Sequence, residues 1–212
     1  MSNGKPPGPT GSHTRAERPD SGTLARTLTA TPDAVGTGAR SVPSAAVSAP
    51  PANVKPATVT ATTLDGYLGK HISEVCENGF DQDDDNHCAH FVSHVLGLEF
   101  GVTCRTMGTV GSTGSKANIR VQEIFPRCPA VGEWASRPAT STTCLVFITK
   151  AANVDLKAKV MSNVPRKHVG IFVTDKIWHY SNSKRKVVKQ TPEEFSKHYA
   201  APYNAMFYGS FP

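Results

Sequence analysis

A chain of 212 residues with a formal net charge of +6 and a pI of about 9.1 has room for one folded domain and a further segment. No run of 18 apolar residues occurs, so no membrane-crossing helix is expected. Met1 to Pro9 is followed by no apolar core, so export by the general secretory route is not expected either. The basic balance suits an anionic partner (a cell-wall polymer, a membrane surface or a nucleic acid) or solubility alone.

Residues 1–61 are rich in Pro, Ala, Ser, Thr and Gly and contain no Phe, Trp, Tyr, Ile or Cys. Such a segment buries too little apolar surface to offset its ordering entropy, so it is read as disordered: a tether, a targeting segment or a spacer. The folded domain is expected over 62–212. Thr63 opens an amphipathic helix with Leu64, Leu68, Ile72 and Val75 near one face, ending between Cys76 and Gly79. A polar turn from Asp81 to Asn86 leads into a second helix, Cys88 to Leu96. There Asp85 or Asn86 can accept amide hydrogen bonds of the first turn. Phe91 with Val95 and Val92 with Leu96 form an apolar face, and Gly97 is the stop. Residues 101–117, rich in Gly, Thr and Ser, are read as a loop, and Val121 to Phe125 as a short helix.

The hydrophobic period then changes. Cys144 to Ile148, Val169 to Val173, Lys176 to Tyr180, Lys186 to Lys189 and Ala205 to Tyr208 are expected strands, the second and third joined by a hairpin at Thr174-Asp175. Thr191, Pro192 and Glu194 form a capping box that opens a short helix before the last strand. Helices first and an antiparallel meander second give an α+β domain.

The chemistry centres on Cys88. A cysteine in the first turn of a helix feels the positive end of the helix dipole, which favours thiolate. A nucleophilic thiolate needs a base, and the base needs an orienting group. The hairpin places His168 roughly opposite His179 or a neighbour, on one face, so one imidazole can orient the other. Of the five cysteines, Cys76, Cys104, Cys128 and Cys144 are either reduced core residues or two disulfides, and the spacing leaves both open. No CxxC pair is present, so a structural zinc knuckle is not expected.

The strings Cys88-Ala-His-Phe91-Val92, His168-Val-Gly-Ile-Phe-Val173 and Ile177-Trp-His179 resemble the papain-like NlpC-type cell-wall peptidases and the related CHAP amidases. The resemblance spans roughly Thr63 to Phe211. It implies Cys88 as nucleophile, His168 as general base and acid, and His179 as orienting residue. Tyr67, His90, Trp178 and Asn182 are then candidate substrate-binding residues. Tyr67 is also a candidate partner of the Cys88 amide in an oxyanion hole, and Asn182 a lesser candidate for the third position. It further implies an amide bond of peptidoglycan peptide stems as substrate, no cofactor, and delivery by a non-classical route as an antibacterial effector or lysis enzyme, with a cognate immunity or secretion partner. Where the family usually has Asp-Cys-Ser-Gly, this chain has His87-Cys88-Ala89-His90, and the longer stretch to His168 implies an insertion within 101–140 or 151–165. The Cys-Ala-His-Phe-Val string is also similar to the box of lecithin:retinol acyltransferase-type enzymes, which place the His strand before the Cys. An acyltransferase or lipase, and a non-catalytic binding module with an ordinary Cys88, are the alternatives.

Three patterns are set aside. His90, His94 and His168 would make a zinc enzyme, but no helical Glu accompanies them. Asp81, Asp83 and Asp85 imitate a calcium loop, but Asn86 and Val92 stand where such a loop needs Gly and Glu. Lys184-Arg185-Lys186 is a basic hairpin tip suited to phosphates or to solvent, and no nucleic-acid motif appears.

Overall fold

The computed structural model describes residues 59–110 and 116–212. The expected disorder over 1–61 therefore lies outside the described residues except at its end. There, order begins earlier than expected. Thr60 caps α1 (Ala61–Asp65) through a reciprocal box with Thr63. The long first helix does not form. Gly66 ends α1, Gly69 adopts φ 79°, and only a 3-10 turn, Ile72–Glu74, follows. The sequence pattern still marks what is buried, since Leu64 and Ile72 are core residues, while Leu68 is 37% exposed.

Helix α2 (Cys88–Leu96) runs as expected and ends at Gly97, which adopts the left-handed conformation at φ 60°. The Gly/Thr/Ser-rich stretch is not all loop. Gly101 and Val102 bridge to Ala117, and α3 (Cys104–Val110) lies between them. Cys104, Met107, Val102, Ala117 and Ile119 bury against Cys76, so tertiary packing overrides a weak local propensity here. α4 (Val121–Ile124) matches the expected short helix.

The strands are β1 (Val131–Glu133), β2 (Thr143–Thr149), β3 (Val154–Asp155), β4 (Val160–Met161), β5 (His168–Val173), β6 (Lys176–Ser181), β7 (Lys186–Gln190) and β8 (Ala205–Gly209). Six of them form an antiparallel sheet in the order β1-β8-β2-β5-β6-β7, and β3-β4 is a separate hairpin. The five expected strands are all present, and β1 and the β3-β4 hairpin are additions. The capping box at Thr191 opens α5 (Pro192–Ser196) as expected.

The sheet has two buried faces. Leu145, Phe147, Val169, Ile171, Trp178 and Tyr180 pack beneath α2. Cys144, Val146, Ile148, Phe172 and Ile177 pack with Phe195 of α5 on the other side. Alternate side chains of one strand serve opposite faces. The domain is thus α+β with an antiparallel sheet, and all five cysteines are buried free thiols.

Candidate functional site

Helix α2 carries Cys88 as its first residue. The Cys88 amide donates to Asn86 Oδ1 at 3.1 Å, and the His87 amide donates to Asn182 Oδ1 at 3.2 Å. The second bond ties the start of the helix to the chain just after β6. Asn182 therefore holds the helix and does not face the cleft beside Cys88. That cleft, of about 790 Å³, is lined by Cys88, Asn86, Ala89, Gln122, Arg120, Arg166 and Lys167 among others.

Cys88 itself is 1% exposed. Burial pushes its thiol up to about 12, opposed by the Val169 amide, the amides of the helix start and the Lys167 cation. The position at a helix start alone favours a lowered value. Its contribution is present, but desolvation outweighs it. Lys167 is held beside the cleft by bonds from Nζ to Val164 O at 2.6 Å and Asn163 Oδ1 at 3.0 Å.

His168 and His179 meet as the hairpin predicted, although not directly opposite one another. The register sets Ile171 against Trp178, so His168 reaches His179 diagonally across Gly170. A Cβ on Gly170 would lie 3.2 Å from His179 Cβ and 2.6 Å from Ile177 Cγ2, so a larger residue there would force the strands apart. His168 Nε2 and His179 Nδ1 stand 2.8 Å apart, and His179 Nε2 lies 2.7 Å from Gln190 Oε1.

These contacts set the tautomers. Gln190 Oε1 only accepts, so His179 Nε2 carries a hydrogen and its Nδ1 is a lone pair. His168 Nε2 must then donate, which leaves His168 Nδ1 as an unprotonated base. Burial holds His168 well below its ordinary value and lowers His179 to about 4, so both rings are neutral near neutral pH. His198 stacks on His168 with centroids 4.0 Å apart.

No hydrogen bond joins the Cys88 thiol to either imidazole. Cys88 packs in the layer of Val169 and Ile171, whereas His168 and His179 pack around Phe195 on the other face. The link between the two parts is the start of β5, where His168 is followed by Val169, whose amide meets the Cys88 sulfur.

The other expected site residues lie elsewhere. Tyr67 packs edge-on against Phe91 at 5.7 Å, one turn into α2. Trp178 is buried, donating from Nε1 to Asp65 Oδ1 at 3.0 Å. His90 is fully buried beneath His87 and does not line the Cys88 cleft. Both Tyr67 and Trp178 matched the sequence pattern as aromatics near the site, and both are spent on packing. Asp83 of the acidic turn pairs with Arg185 at 2.8 Å and His71 at 3.1 Å, so the basic tip docks there.

Gln190 and His198 were not foreseen. Gln190 is legible only as the polar end of an alternating strand, and His198 becomes a neighbour of His168 only when α5 folds back. His168, His179 and His198 could each offer a nitrogen to one metal. The 2.8 Å Nε2–Nδ1 spacing, however, is that of a shared proton. Two nitrogens on one tetrahedral zinc stand about 3.4 Å apart. The structure also separates the trio of His90, His94 and His168 considered from sequence, since His168 keeps its own partners. Compared with protein-family models, curated proteins and solved structures, the chain finds no match.

Proposed function

We propose that the chain is a thiol hydrolase on a papain-like, NlpC-type scaffold, cleaving an amide bond in peptidoglycan through an acyl-enzyme. Cys88 is the nucleophile, His168 the general base and acid, and His179 the orienting residue. The observation that carries this reading is a cleft-lining thiol at a helix start, beside a strand whose first residue presents a bare imidazole nitrogen.

The resting pair is neutral, because burial raises the thiol and lowers the imidazole. Proton transfer therefore accompanies attack. The sulfur turns from the Val169 amide toward His168 Nδ1, gives it the thiol proton and bonds to the substrate carbonyl carbon. His168 then returns that proton to the leaving amine as the C–N bond breaks. A water next attacks the thioester, loses a proton to His168, and expels the sulfur, which recovers it. The Cys88 amide is engaged by Asn86, so the side-chain amide of Gln122 in the cleft is the candidate oxyanion donor. Arg120, Arg166 and Lys167 against Asp85 give the cleft a cationic lining, which suits the carboxylates of peptide stems. Delivery to the wall and a cognate immunity partner follow from that substrate as parts of the proposal.

The test is mass analysis of soluble fragments from purified peptidoglycan incubated with the full chain and with Cys88→Ala. New peptide fragments with the native protein, reduced more than ~10³-fold in the variant, are expected. Equal fragments from both would remove Cys88 as nucleophile. Two observations favour a second reading, a non-catalytic binding module: the 1% exposure of Cys88 and its raised thiol. An intact wall, with Cys88 alkylating no faster than a free thiol, selects it.

A further inference from the structure

A second cluster of nucleophilic and imidazole side chains lies outside the Cys88 cleft. Cys76 closes the segment after the 3-10 turn, His90 and His94 stand one turn apart on α2, and Cys104 opens α3. One ligand atom from each lies within 4.8 Å of all the others. The two sulfurs are 3.6 Å apart, and Cys104 Sγ is 3.3 Å from His94 Nε2. A disulfide needs about 2.05 Å. Four donors around a tetrahedral zinc, with bonds of about 2.3 Å to sulfur and 2.0–2.1 Å to nitrogen, stand about 3.8 Å apart for two sulfurs and about 3.5 Å for sulfur and nitrogen. These two distances are close to the second arrangement and far from the first.

The tautomers give an independent argument. His87 Nε2 lies 2.8 Å from the Gln82 carbonyl, which only accepts, so His87 Nδ1 is a lone pair. His90 Nδ1, 3.3 Å from it, must donate. His90 Nε2 is then a bare lone pair, wholly buried and without a partner. A buried acceptor left unpaired is costly, and a cation would satisfy it. The sulfurs are prepared as well. Asn78 donates from Nδ2 to Cys76 Sγ at 3.3 Å and Cys104 Sγ at 3.4 Å, and its backbone amide donates to Cys76 Sγ at 3.4 Å. Donors converging on two sulfurs suit thiolates, as the outer shell of a metal site does. Val102, Met107 and Ile119 wrap the cluster in apolar surface. A cavity of about 440 Å³ lined by Asn78, His90, His94 and Cys104 gives a path in.

We propose that Cys76, His90, His94 and Cys104 bind one zinc ion in a closed, four-coordinate structural site. Zinc displaces one proton from each thiol, so two protons are released and the centre is neutral overall: two thiolates, two neutral imidazoles and one divalent cation. The ion would tie the segment before α2 and the short α3 to α2, which packs on the sheet. None of the four ligands lines the Cys88 cleft, so this inference stands whether or not the hydrolase reading does. It revises the expectation drawn from the missing CxxC pair, because the ligands come from three separate segments.

The full chain, reduced and purified from zinc-supplemented medium, should carry one equivalent of zinc by elemental mass spectrometry. Cys76→Ser with Cys104→Ser, and separately His94→Ala, should lose it, whereas Cys128→Ser and Cys144→Ser should keep it. Because the first variants could fail to fold, the native chain is also exchanged into cobalt(II). Thiolate-to-cobalt charge-transfer absorption and the intense visible bands of tetrahedral cobalt are expected. Three outcomes would each overturn the proposal: zinc below one-tenth of an equivalent after reconstitution, a cobalt spectrum of octahedral type, or a mass and peptide map showing a Cys76–Cys104 disulfide in the native protein.

Discussion

The domain holds two buried chains of hydrogen-bonded imidazoles, and they end differently. One runs from Gln190 through His179 to His168 and leaves His168 Nδ1 bare at the start of β5, one residue before the Val169 amide that meets the Cys88 sulfur. The other runs from the Gln82 carbonyl through His87 to His90 and leaves His90 Nε2 bare in a pocket with His94 and two thiols. In both, an oxygen acceptor at one end fixes every tautomer down the line and aims a lone pair from the other end. What the lone pair meets decides the chemistry. One thiol and a cleft open to substrate suit proton transfer, whereas two thiols and a second imidazole within 4.8 Å suit a metal. On the reading proposed above, the first region would carry activity and the second stability.

The widest separation between the two regions should be in stability. Apparent zinc affinities of structural sites amount to about 10–16 kcal/mol, comparable with the whole stability of about 5–15 kcal/mol of a domain. Replacing Cys76 and Cys104 by Ser should therefore leave the chain unfolded or close to it in a urea titration, and a chelator should do the same to the native protein. Cys88→Ala removes one small buried group and should cost about 1–2 kcal/mol. Equal losses from the two changes would erase the distinction.

His168→Ala should lower kcat by ~10²–10⁴ with the fold kept, as loss of a general base does. Added imidazole should restore part of the rate by occupying the vacated ring's place and donating to His179 Nδ1. A variant as active as the native chain would remove His168 from the chemistry.

The parts of this arrangement that sequence reading reached were those carried by local pattern. Apolar runs bounded by polar residues gave β2, β5 and β6. A two-residue turn brought His168 to His179, and Thr191 with Glu194 marked α5. An acceptor at the start of α2 was also legible as Asp85 or Asn86, and Asn86 is the one that accepts. The rest depended on chain segments meeting. α3 hides in a Gly/Thr/Ser-rich stretch because its stability comes from Met107 and Cys104 packing against Cys76. The first helix failed for the opposite reason: its apolar spacing was helical, but the backbone turns left-handed at Gly69, just past the end of α1. Cys76 and Cys104 carry no mutual spacing signal, and Gln190 looks like any polar strand end. The helix-start argument for Cys88 was sound in sign but blind to burial, which only the packed sheet reveals.

Acid should weaken the first region by an amount that one substitution reads. His179 titrates near 6.5 when unfolded and at about 4 when folded, because burial penalises its charged form. The unfolded chain thus binds more protons between those values. The contribution is fully present above 6.5 and is lost as pH falls toward about 4. At about pH 5 the loss from this one group is about 2 kcal/mol. Urea midpoints of the native chain and His179→Gln at about pH 7.5 and about pH 5 should show a shallower decline in the variant. Parallel declines would mean that His179 is not buried as a neutral ring.

The smallest effect expected is also the most specific to the tautomer argument. Gln190 contributes no charge, and its Oε1 only fixes which nitrogen of His179 carries the hydrogen. Gln190→Leu removes that constraint and should lower kcat about tenfold, with little change in KM, since Gln190 does not line the cleft. Gln190→Glu keeps an acceptor and adds a carboxylate, which favours imidazolium on the pair. Activity needs neutral His168, so it falls below the pKa of the pair, and raising that pKa moves the acid limb of kcat/KM upward by about one unit. A purely structural glutamine would give a loss in both variants with the acid limb unmoved. A displaced limb in the Glu variant alone would show that protonation is relayed from Gln190 through His179 to the base beside Cys88.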